Sequence, residues 1–139
     1  MTSLPVTRLV IDSNVWISAL IFGGQPRRVF EQVVLSGEQI VISAEIISEI
    51  RRTLTQKFPD FLPDFEALLG ALGQHIRVVQ LGAITVKASR DPDDNRVLET
   101  AVLGDARVII SGDKDLLVLK KYQNIDIKAP SDWLTNAKQ

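Results

Sequence analysis

Two aspartates follow strand-like segments of the sequence and could together bind a metal ion. Asp12 comes directly after the apolar residues 9–11, and Asp113 follows the apolar segment 107–110. Such runs are typical of buried strands in a parallel sheet, and ligands of open α/β sheets bind outside the carboxyl ends of these strands. An aspartate in this position can alternatively cap the helix that follows it. Two acids placed in the same way favour a shared functional site over two unrelated caps.

The densest acidic cluster of the chain, residues 90–95, contains two aspartates with different predicted roles. Asp91 precedes a proline, and this arrangement is typical of a helix N-cap followed by proline at the first helical position. Asp94 lies three and four residues before Val97 and Leu98, so it projects along the apolar stripe of the following helix. A carboxylate on such a stripe is costly unless something there needs negative charge. The pattern favours a structural role for Asp91 and a functional role for Asp94.

Composition limits the kinds of site that these acids can form. The 139-residue chain has no cysteine and one histidine, which excludes disulfides, thiolate-rich metal sites and histidine-rich zinc sites. Any metal must therefore be held by oxygen ligands, which suit Mg²⁺ or Mn²⁺. The net charge of −1 lacks the basic surplus of most nucleic-acid-binding proteins, but a bound cation can supply positive charge locally.

Segments typical of strands and of helices alternate along the chain, and these elements must position the acids. We predict one domain over residues 1–139, with a parallel sheet covered by helices on both faces. The predicted strands are residues 9–11, 39–42, 76–81, 107–110 and 125–127, the last of them as an edge strand. The sequence contains neither a membrane-spanning run nor a secretion signal, so we expect a soluble protein of the cytoplasm.

A further acid, Glu49, lies in a helix that Ser43 is expected to cap. Ile46 and Ile50 belong to the buried stripe of this helix. At about 100° per residue, Glu49 falls on the flank of the stripe, and Arg52 falls nearly opposite to it. Glu49 can therefore lean over the sheet edge, whereas Arg52 is expected to meet solvent.

In their order along the chain, these acids and their neighbours resemble the motifs of the PIN-domain family, which consists of small metal-dependent nucleases. The resemblance covers nearly the whole chain and depends on four motifs: Asp12-Ser13-Asn14, Ser48-Glu49-Ile50-Arg51, the helix start at residues 94–101, and Ser111-Gly112-Asp113. Any one motif is weak, but the four in this order are fairly specific. Residues 91–95 and 111–117 further resemble the branch of the family that contains toxins of toxin–antitoxin pairs.

The resemblance implies both a fold and a site. The fold is a three-layer α/β/α sandwich with strand order 3-2-1-4-5, which places Asp12 and Asp113 on adjacent strands. Clustered carboxylates repel one another, and one or two Mg²⁺ or Mn²⁺ ions would neutralise them. Asp12, Asp94 and Asp113 are expected to contact the metal directly, and Glu49 to ligate through water or to orient the attacking water. Secondary candidates near the metal are Asn14, Ser111, Asp115 and Asp91, and candidate phosphate contacts are Lys114, Arg96, Arg51, Arg52, Arg27 and Arg28.

This chemistry predicts a metal-dependent ribonuclease that cleaves single-stranded RNA, as the toxin of a toxin–antitoxin pair. Candidate partners are RNA, a cognate antitoxin protein and a second copy of the chain. One alternative is a PIN-like module that binds RNA or protein without cleaving it. Another is a phosphohydrolase of the haloacid-dehalogenase type, which is disfavoured because Asn14 stands where those enzymes need a second aspartate.

Overall fold

A six-stranded sheet lies at the centre of the computed structural model, which describes residues 7–137. The strands are β1 (Arg8–Ile11), β2 (Gln39–Ser43), β3 (Ile76–Val79), β4 (Val108–Ile110), β5 (Lys121–Tyr122) and β6 (Ile125–Lys128). The helices are α1 (Ser13–Ile21), α2 (Gly24–Ser36), α3 (Ala44–Lys57), α4 (Leu62–Leu72), α5 (Pro92–Leu103), α6 (Lys114–Leu117) and α7 (Pro130–Ala137). Short 3₁₀ helices lie at Pro59–Phe61 and Gly73–His75. Over this part of the chain, no helix combines the length and apolar character needed to cross a membrane.

The connections between the strands place helices on both faces of the sheet. The strand order is β3-β2-β1-β4-β6-β5, so the chain first runs outward from β1 to β3 and then crosses back over β1 to β4. Right-handed crossovers put the helices of these two halves on opposite faces. In agreement, α5 packs on β1, β2 and β4, whereas α1 contacts α2 and α3, which in turn contact α7 and α4. The predicted three-layer architecture is confirmed.

The predicted order 3-2-1-4-5 is also confirmed for the five expected strands, with one addition at the edge. The fifth expected strand is β6, and all pairs up to it are parallel. It is not the edge strand, because β5 folds back on it as an antiparallel hairpin with Gln123 at φ 53° in the turn. One other prediction was too long, because the strand predicted over residues 76–81 ends at Val79. The strand β5 was not predicted, because a strand of two residues is too short to produce a periodic signal in the sequence.

Burial of Trp16 fixes the helix that follows the first strand. Its ring centroid lies 4.6 Å from that of Phe30 and 5.7 Å from that of Phe65, and the side chain is inaccessible to solvent. The indole nitrogen donates a hydrogen bond to the carbonyl oxygen of Ile11 at 3.0 Å. Because Ile11 directly precedes Asp12, this contact ties α1 to the strand end that carries the first acid.

Gly104 ends α5 and allows this helix to lie close to the sheet. A Cβ atom at this position would overlap Cγ1 of Val41 and would lie 2.9 Å from Cγ2 of the same residue. Val41 is fully buried in β2, and a close-packed interior gives it little space into which to move. Gly104 has a φ of −88°, so the close approach and not the backbone conformation requires glycine. The distance of α5 from the sheet, and with it the position of Asp94, depends on this contact.

Candidate functional site

Two of the predicted acids lie side by side at the carboxyl edge of the sheet. Because β1 and β4 are neighbouring parallel strands in register, Asp12 and Asp113 both follow at the same edge. Each also caps a helix: Asp12 Oδ1 accepts a hydrogen bond from the Ser13 N–H, and Asp113 Oδ1 accepts one from the Asp115 N–H, both at 2.8 Å. Capping therefore does not prevent these two acids from sharing a site.

Asp12 is held by a network of hydrogen bonds. The residue is only 6 % exposed, and its Oδ2 accepts hydrogen bonds from Ser111 Oγ at 2.7 Å and from Asn14 Nδ2 at 3.3 Å. Burial raises the pKa of Asp12, and the charge of Asp113 raises it further, while the hydrogen bonds from Ser111 and Ser13 lower it. Two of the predicted secondary residues, Ser111 and Asn14, thus contact this carboxylate directly.

Asp91, Asp94 and Asp113 form a group that we call the three-acid cluster, in which one carboxylate oxygen from each residue lies within 4.8 Å of the others. Asp94 is 2 % exposed at the N-terminal turn of α5. Burial is the main reason that the pKa of Asp94 rises to about 7, followed by its hydrogen bond to Asp113 and the charges of Asp113 and Asp91. Two carboxyl groups can share a hydrogen bond only if one holds a proton, so without a cation the cluster retains a proton near neutral pH.

Asp91 has its predicted capping role and is also a member of the three-acid cluster. Its Oδ1 accepts a hydrogen bond from the Asp93 N–H at 2.9 Å, which confirms the predicted N-cap of α5. The same turn brings the Asp91 carboxylate to the edge where Asp94 and Asp113 lie. Capping alone explains the sequence around Asp91. Only the folded structure therefore shows that Asp91 also belongs to the three-acid cluster.

A groove beside the three-acid cluster contains Glu49. It runs between α3 and the start of α5 and is lined by Ala44, Glu45, Ser48, Glu49, Arg52, Thr53, Asp93 and Arg96. Burial raises the pKa of Glu49, and the charges of Asp93 and Asp12 raise it further, whereas Arg96 and Arg52 lower it. Glu49 is not a member of the three-acid cluster. It lines the groove together with Asp93, which directly precedes Asp94 in the chain.

The predicted phosphate contacts on α3 and α5 differ in their surroundings. Arg52 and Arg96 line the groove, although Arg96 also forms an ion pair with Asp93 in the preceding turn of α5. Arg51 faces α4 instead, where its Nε and Nη2 donate hydrogen bonds to the two carboxylate oxygens of Glu66 at 2.6 and 3.0 Å. Of the two neighbouring arginines of α3, Arg52 is the one directed toward the groove.

The other charged candidates lie outside the groove. Lys114 is exposed in the first turn of α6. Asp115, a secondary metal candidate, lies 3.7 Å from the guanidinium of Arg90. Arg27 and Arg28 are exposed on α2 and do not line the groove, and Arg27 forms an ion pair with Glu31 on the same helix.

The sequence analysis missed Ser89, which contacts Asp94, and Asn95, which binds Ser89. Ser89 Oγ lies 3.3 Å from Asp94 Oδ2, and the Asn95 amide binds the backbone of Ser89. One signal could have identified Ser89, because the pattern Ser-x-Asp occurs at residues 89–91 and again at residues 111–113.

The three-acid cluster offers the donors that a small divalent cation prefers. Mg²⁺ and Mn²⁺ favour carboxylate oxygens in octahedral geometry, in which opposite ligand atoms are about 4.2 Å apart. The cluster oxygens lie within 4.8 Å of one another. Neighbouring ligand atoms around such an ion are about 3 Å apart, so any pair of oxygens near the 4.8 Å limit would move closer by rotation of the side chains. These residues fit Mg²⁺ or Mn²⁺.

Comparison with known proteins identifies similar sequences and structures. A sequence profile described as the PIN domain matches residues 8–115. No match is found among curated proteins. A chain in the crystal structure of VapBC2 from Rickettsia felis bound to a DNA fragment from their promoter superposes with a TM-score of 0.62 at 10% sequence identity, covering 88% of this chain and 98% of that chain. PAE2754 from Pyrobaculum aerophilum superposes with a TM-score of 0.50 at 17% identity, covering 96% and 91%. At these identities, the two structures support the fold alone.

Proposed function

The chain belongs to the PIN-domain family, and on this premise we propose that it is a metal-dependent endoribonuclease that cleaves single-stranded RNA. The observation on which the proposal depends is the three-acid cluster of Asp91, Asp94 and Asp113, at the edge of the sheet where Asp12 also lies. Carboxylates this close repel one another, and a divalent cation relieves that repulsion. Asp94 is nearly inaccessible to solvent and forms no salt bridge within the described residues, so a structural role does not explain its charge.

The chain's own groups have distinct roles in the proposed reaction. When bound, one or two Mg²⁺ or Mn²⁺ ions would neutralise the carboxylates, orient the scissile phosphate and lower the pKa of the attacking water. We propose that Asp12, Asp94 and Asp113 hold the metal, with Asp91 as an additional ligand. Ser111 donates a hydrogen bond to Asp12 and thereby fixes the orientation of that carboxylate.

Glu49 is our candidate for orienting the attacking water. Its carboxylate faces the groove and is only half-buried, so water and substrate can reach it. Such a group can bind a water molecule and accept its proton as the new oxygen–phosphorus bond forms and the bond from phosphorus to the leaving ribose oxygen breaks. The leaving oxygen takes a proton from solvent water. Arg52 and Arg96 line the same groove and would bind phosphates of the RNA on either side of the cleaved bond.

We further propose that the protein is the toxin of a toxin–antitoxin pair, acting in the cytoplasm with a cognate antitoxin as its protein partner. The support is the resemblance of residues 91–95 and 111–117 to the toxin branch of the family. A chain of the VapBC2 complex of Rickettsia felis shares the fold, which agrees with this role.

Purified protein should cleave labelled single-stranded RNA in millimolar Mn²⁺ or Mg²⁺, and excess chelator should stop the cleavage. Because aromatic residues make up only 6% of the chain, we expect little base stacking and only a modest sequence preference. Fragment patterns from several unrelated RNAs, resolved on denaturing gels, measure both properties. Cleavage that continues undiminished in chelator would contradict metal dependence.

The same assay separates the alternative functions. If the protein shifts RNA on a native gel but cleaves it with neither metal, it is the silent RNA-binding module. Membership of the PIN-domain family argues against the haloacid-dehalogenase alternative. This alternative was already disfavoured, because the chain has Asn14 where those enzymes need a second aspartate.

Arg52→Ala should weaken RNA binding, whereas Arg51→Ala should leave it nearly unchanged. The two residues are adjacent on α3, but only Arg52 lines the groove, so they form a matched pair. Loss of one phosphate contact should reduce the slope of log affinity against log salt by about one. Arg51→Ala should instead cost about 0.2–1 kcal/mol of stability by removing an exposed ion pair. Fluorescence anisotropy with labelled RNA at several salt concentrations measures binding, and equal losses for both variants would contradict the assignment.

A further inference from the structure

Ser89 contacts two members of the three-acid cluster in a way that the mechanism above does not use. Its Oγ accepts a hydrogen bond from the Asp91 N–H at 3.2 Å and donates one to Asp94 Oδ2 at 3.3 Å. A backbone N–H can only donate, so the Ser89 oxygen must be its acceptor, and the hydroxyl proton is left for Asp94. The backbone of the loop therefore directs this hydroxyl toward the buried carboxylate.

The same arrangement occurs at Ser111. Its Oγ accepts a hydrogen bond from the Asp113 N–H at 2.9 Å and donates one to Asp12 Oδ2 at 2.7 Å. Both serines begin a Ser-x-Asp-x-Asp sequence, at residues 89–93 and 111–115. In both, the middle aspartate caps the following helix by accepting a hydrogen bond from the N–H of the last one, at 2.9 and 2.8 Å. Each serine thus donates a hydrogen bond to one buried aspartate and accepts one from the backbone N–H of the aspartate two residues after it.

The two serines are held in place by different means. The N–H of Ser111 donates to the carbonyl oxygen of Lys128 at 3.0 Å, at the end of β6, so the sheet holds Ser111. Ser89 lies between β3 and α5 in a segment without regular secondary structure. There the Asn95 side chain binds the backbone of Ser89, as the sheet does for Ser111. Its Oδ1 accepts a hydrogen bond from the Ser89 N–H, and its Nδ2 donates one to the Ser89 carbonyl oxygen, both at 2.8 Å. Because Asn95 follows Asp94 in α5, the helix that carries the acid also holds the loop.

We propose that Ser89, held by Asn95, is a positioning residue that orients Asp94 and Asp91 toward the bound metal ion. It would be the counterpart of Ser111, which orients Asp12 and Asp113. The inference depends on the proposed function, since it assumes that the three-acid cluster binds the metal. Groups that orient metal ligands typically change metal affinity by about 10–100-fold when they are removed.

Ser89→Ala should lower the affinity for Mn²⁺ about tenfold, and Ser89→Thr, which keeps the hydroxyl, should restore it. Asn95→Ala should have an effect in the same direction, because it releases the loop that holds Ser89. Electron paramagnetic resonance of free Mn²⁺ during titration of the protein measures binding without RNA. In the cleavage assay, the Mn²⁺ concentration for half-maximal activity should rise for Ser89→Ala, while activity at saturating Mn²⁺ should return close to that of the wild type.

Thr100→Ala is the matched control. It removes a buried hydroxyl from α5 that donates only to the carbonyl oxygen of Arg96 at 2.7 Å, away from the cluster. It should lower the melting temperature without changing Mn²⁺ affinity, which separates a positioning effect from general destabilisation of the helix.

The outcomes distinguish this inference from the proposed function. If the wild type binds no Mn²⁺, the metal-dependent function and the inference both fail. If the wild type binds Mn²⁺ and folded Ser89→Ala binds it as tightly, only the inference is overturned. If Ser89→Thr is as weak as Ser89→Ala, or if Thr100→Ala weakens binding equally, the hydroxyl is not the cause and the inference is again overturned.

Discussion

The Asp94→Asn variant should lose RNA cleavage and, in chelator, should melt at a higher temperature than the wild type. Cleavage should fall by more than about a hundredfold, since even residues that merely orient metal ligands contribute up to that much. The rise in stability follows from the geometry of the three-acid cluster, whose oxygens lie within 4.8 Å of one another. Asparagine has nearly the same shape as aspartate but removes one of the repelling charges.

The expected size of the stability gain is modest. Two unit charges about 4 Å apart repel by roughly 4 kcal/mol at an effective dielectric constant near 20. The cluster lies beside an open groove, so solvent screening should leave about 1–2 kcal/mol, which raises the melting temperature by roughly 3–6 °C in a domain of this size. A metal ion that binds only the folded wild type offsets the same cost by mass action. Millimolar Mn²⁺ should therefore raise the melting temperature of the wild type more than that of Asp94→Asn.

The gain should also depend on pH. Because the pKa of Asp94 rises from 3.8 to about 7 on folding, the folded protein keeps a proton that the unfolded chain releases between these values. Folding is therefore favoured at low pH by this group, and that contribution is lost as the pH rises from about 4 to about 7. In chelator, the melting temperature of Asp94→Asn should be clearly above that of the wild type at pH 8. The difference should nearly vanish at pH 5, where the wild-type Asp94 carboxyl is already neutral.

Thermal melts in chelator and in Mn²⁺, at both pH values, test these expectations together. Asp64→Asn is the matched control, because Asp64 also lies in the first turn of a helix but is exposed on α4. That variant should show neither the gain in chelator nor the loss of the Mn²⁺ effect. A wild-type protein with no Mn²⁺-induced shift, together with no gain for Asp94→Asn, would mean that the carboxylates do not share a metal site.

Gly104→Ala should destabilise the protein by about 3 kcal/mol or more, the upper range for overpacking a core. The new Cβ atom would overlap Cγ1 of Val41 and lie 3.0 Å from its Cβ, which belongs to the rigid centre of β2. To relieve this overlap, α5 must move away from the sheet, and this movement would also displace Asp94. Urea unfolding measures the loss of free energy.

A double-mutant cycle identifies the cause of that loss. Val41→Ala removes both methyl groups that the new Cβ would meet, at its own cost of about 1–3 kcal/mol from the cavity it leaves. The double variant should be more stable than the sum of the two single effects predicts, with a coupling energy of about 1 kcal/mol or more. Strict additivity would show that the close approach of α5 to β2 is not the reason for glycine. Gly70→Ala, at an open position of α4, is a control that should be neutral or stabilising.

Local chemistry in the sequence was sufficient for the central strands and for the helix caps. Residues 9–11 and 107–110 are short apolar runs that predict buried strands, and the structure has β1 and β4 there. Asp91 before Pro92 predicted the N-cap of α5, and Ser43 predicted that of α3, because a cap is decided within three residues. The acids at the strand ends follow from these elements alone. Their assignment to a metal stays a prediction that the experiments above test.

Only the tertiary structure decided which side chains come together. The local pattern predicted separate roles for Asp91 and Asp94, but the folded chain brings one carboxylate oxygen of each within 4.8 Å of one from Asp113. Arg51 and Arg52 are adjacent and chemically identical, yet α4 supplies Glu66 to one of them, and the groove is open to the other. Such outcomes depend on the rotation of helices and on the distance between segments remote in the chain. Local propensity does not encode these quantities, because they are fixed by how the whole core packs.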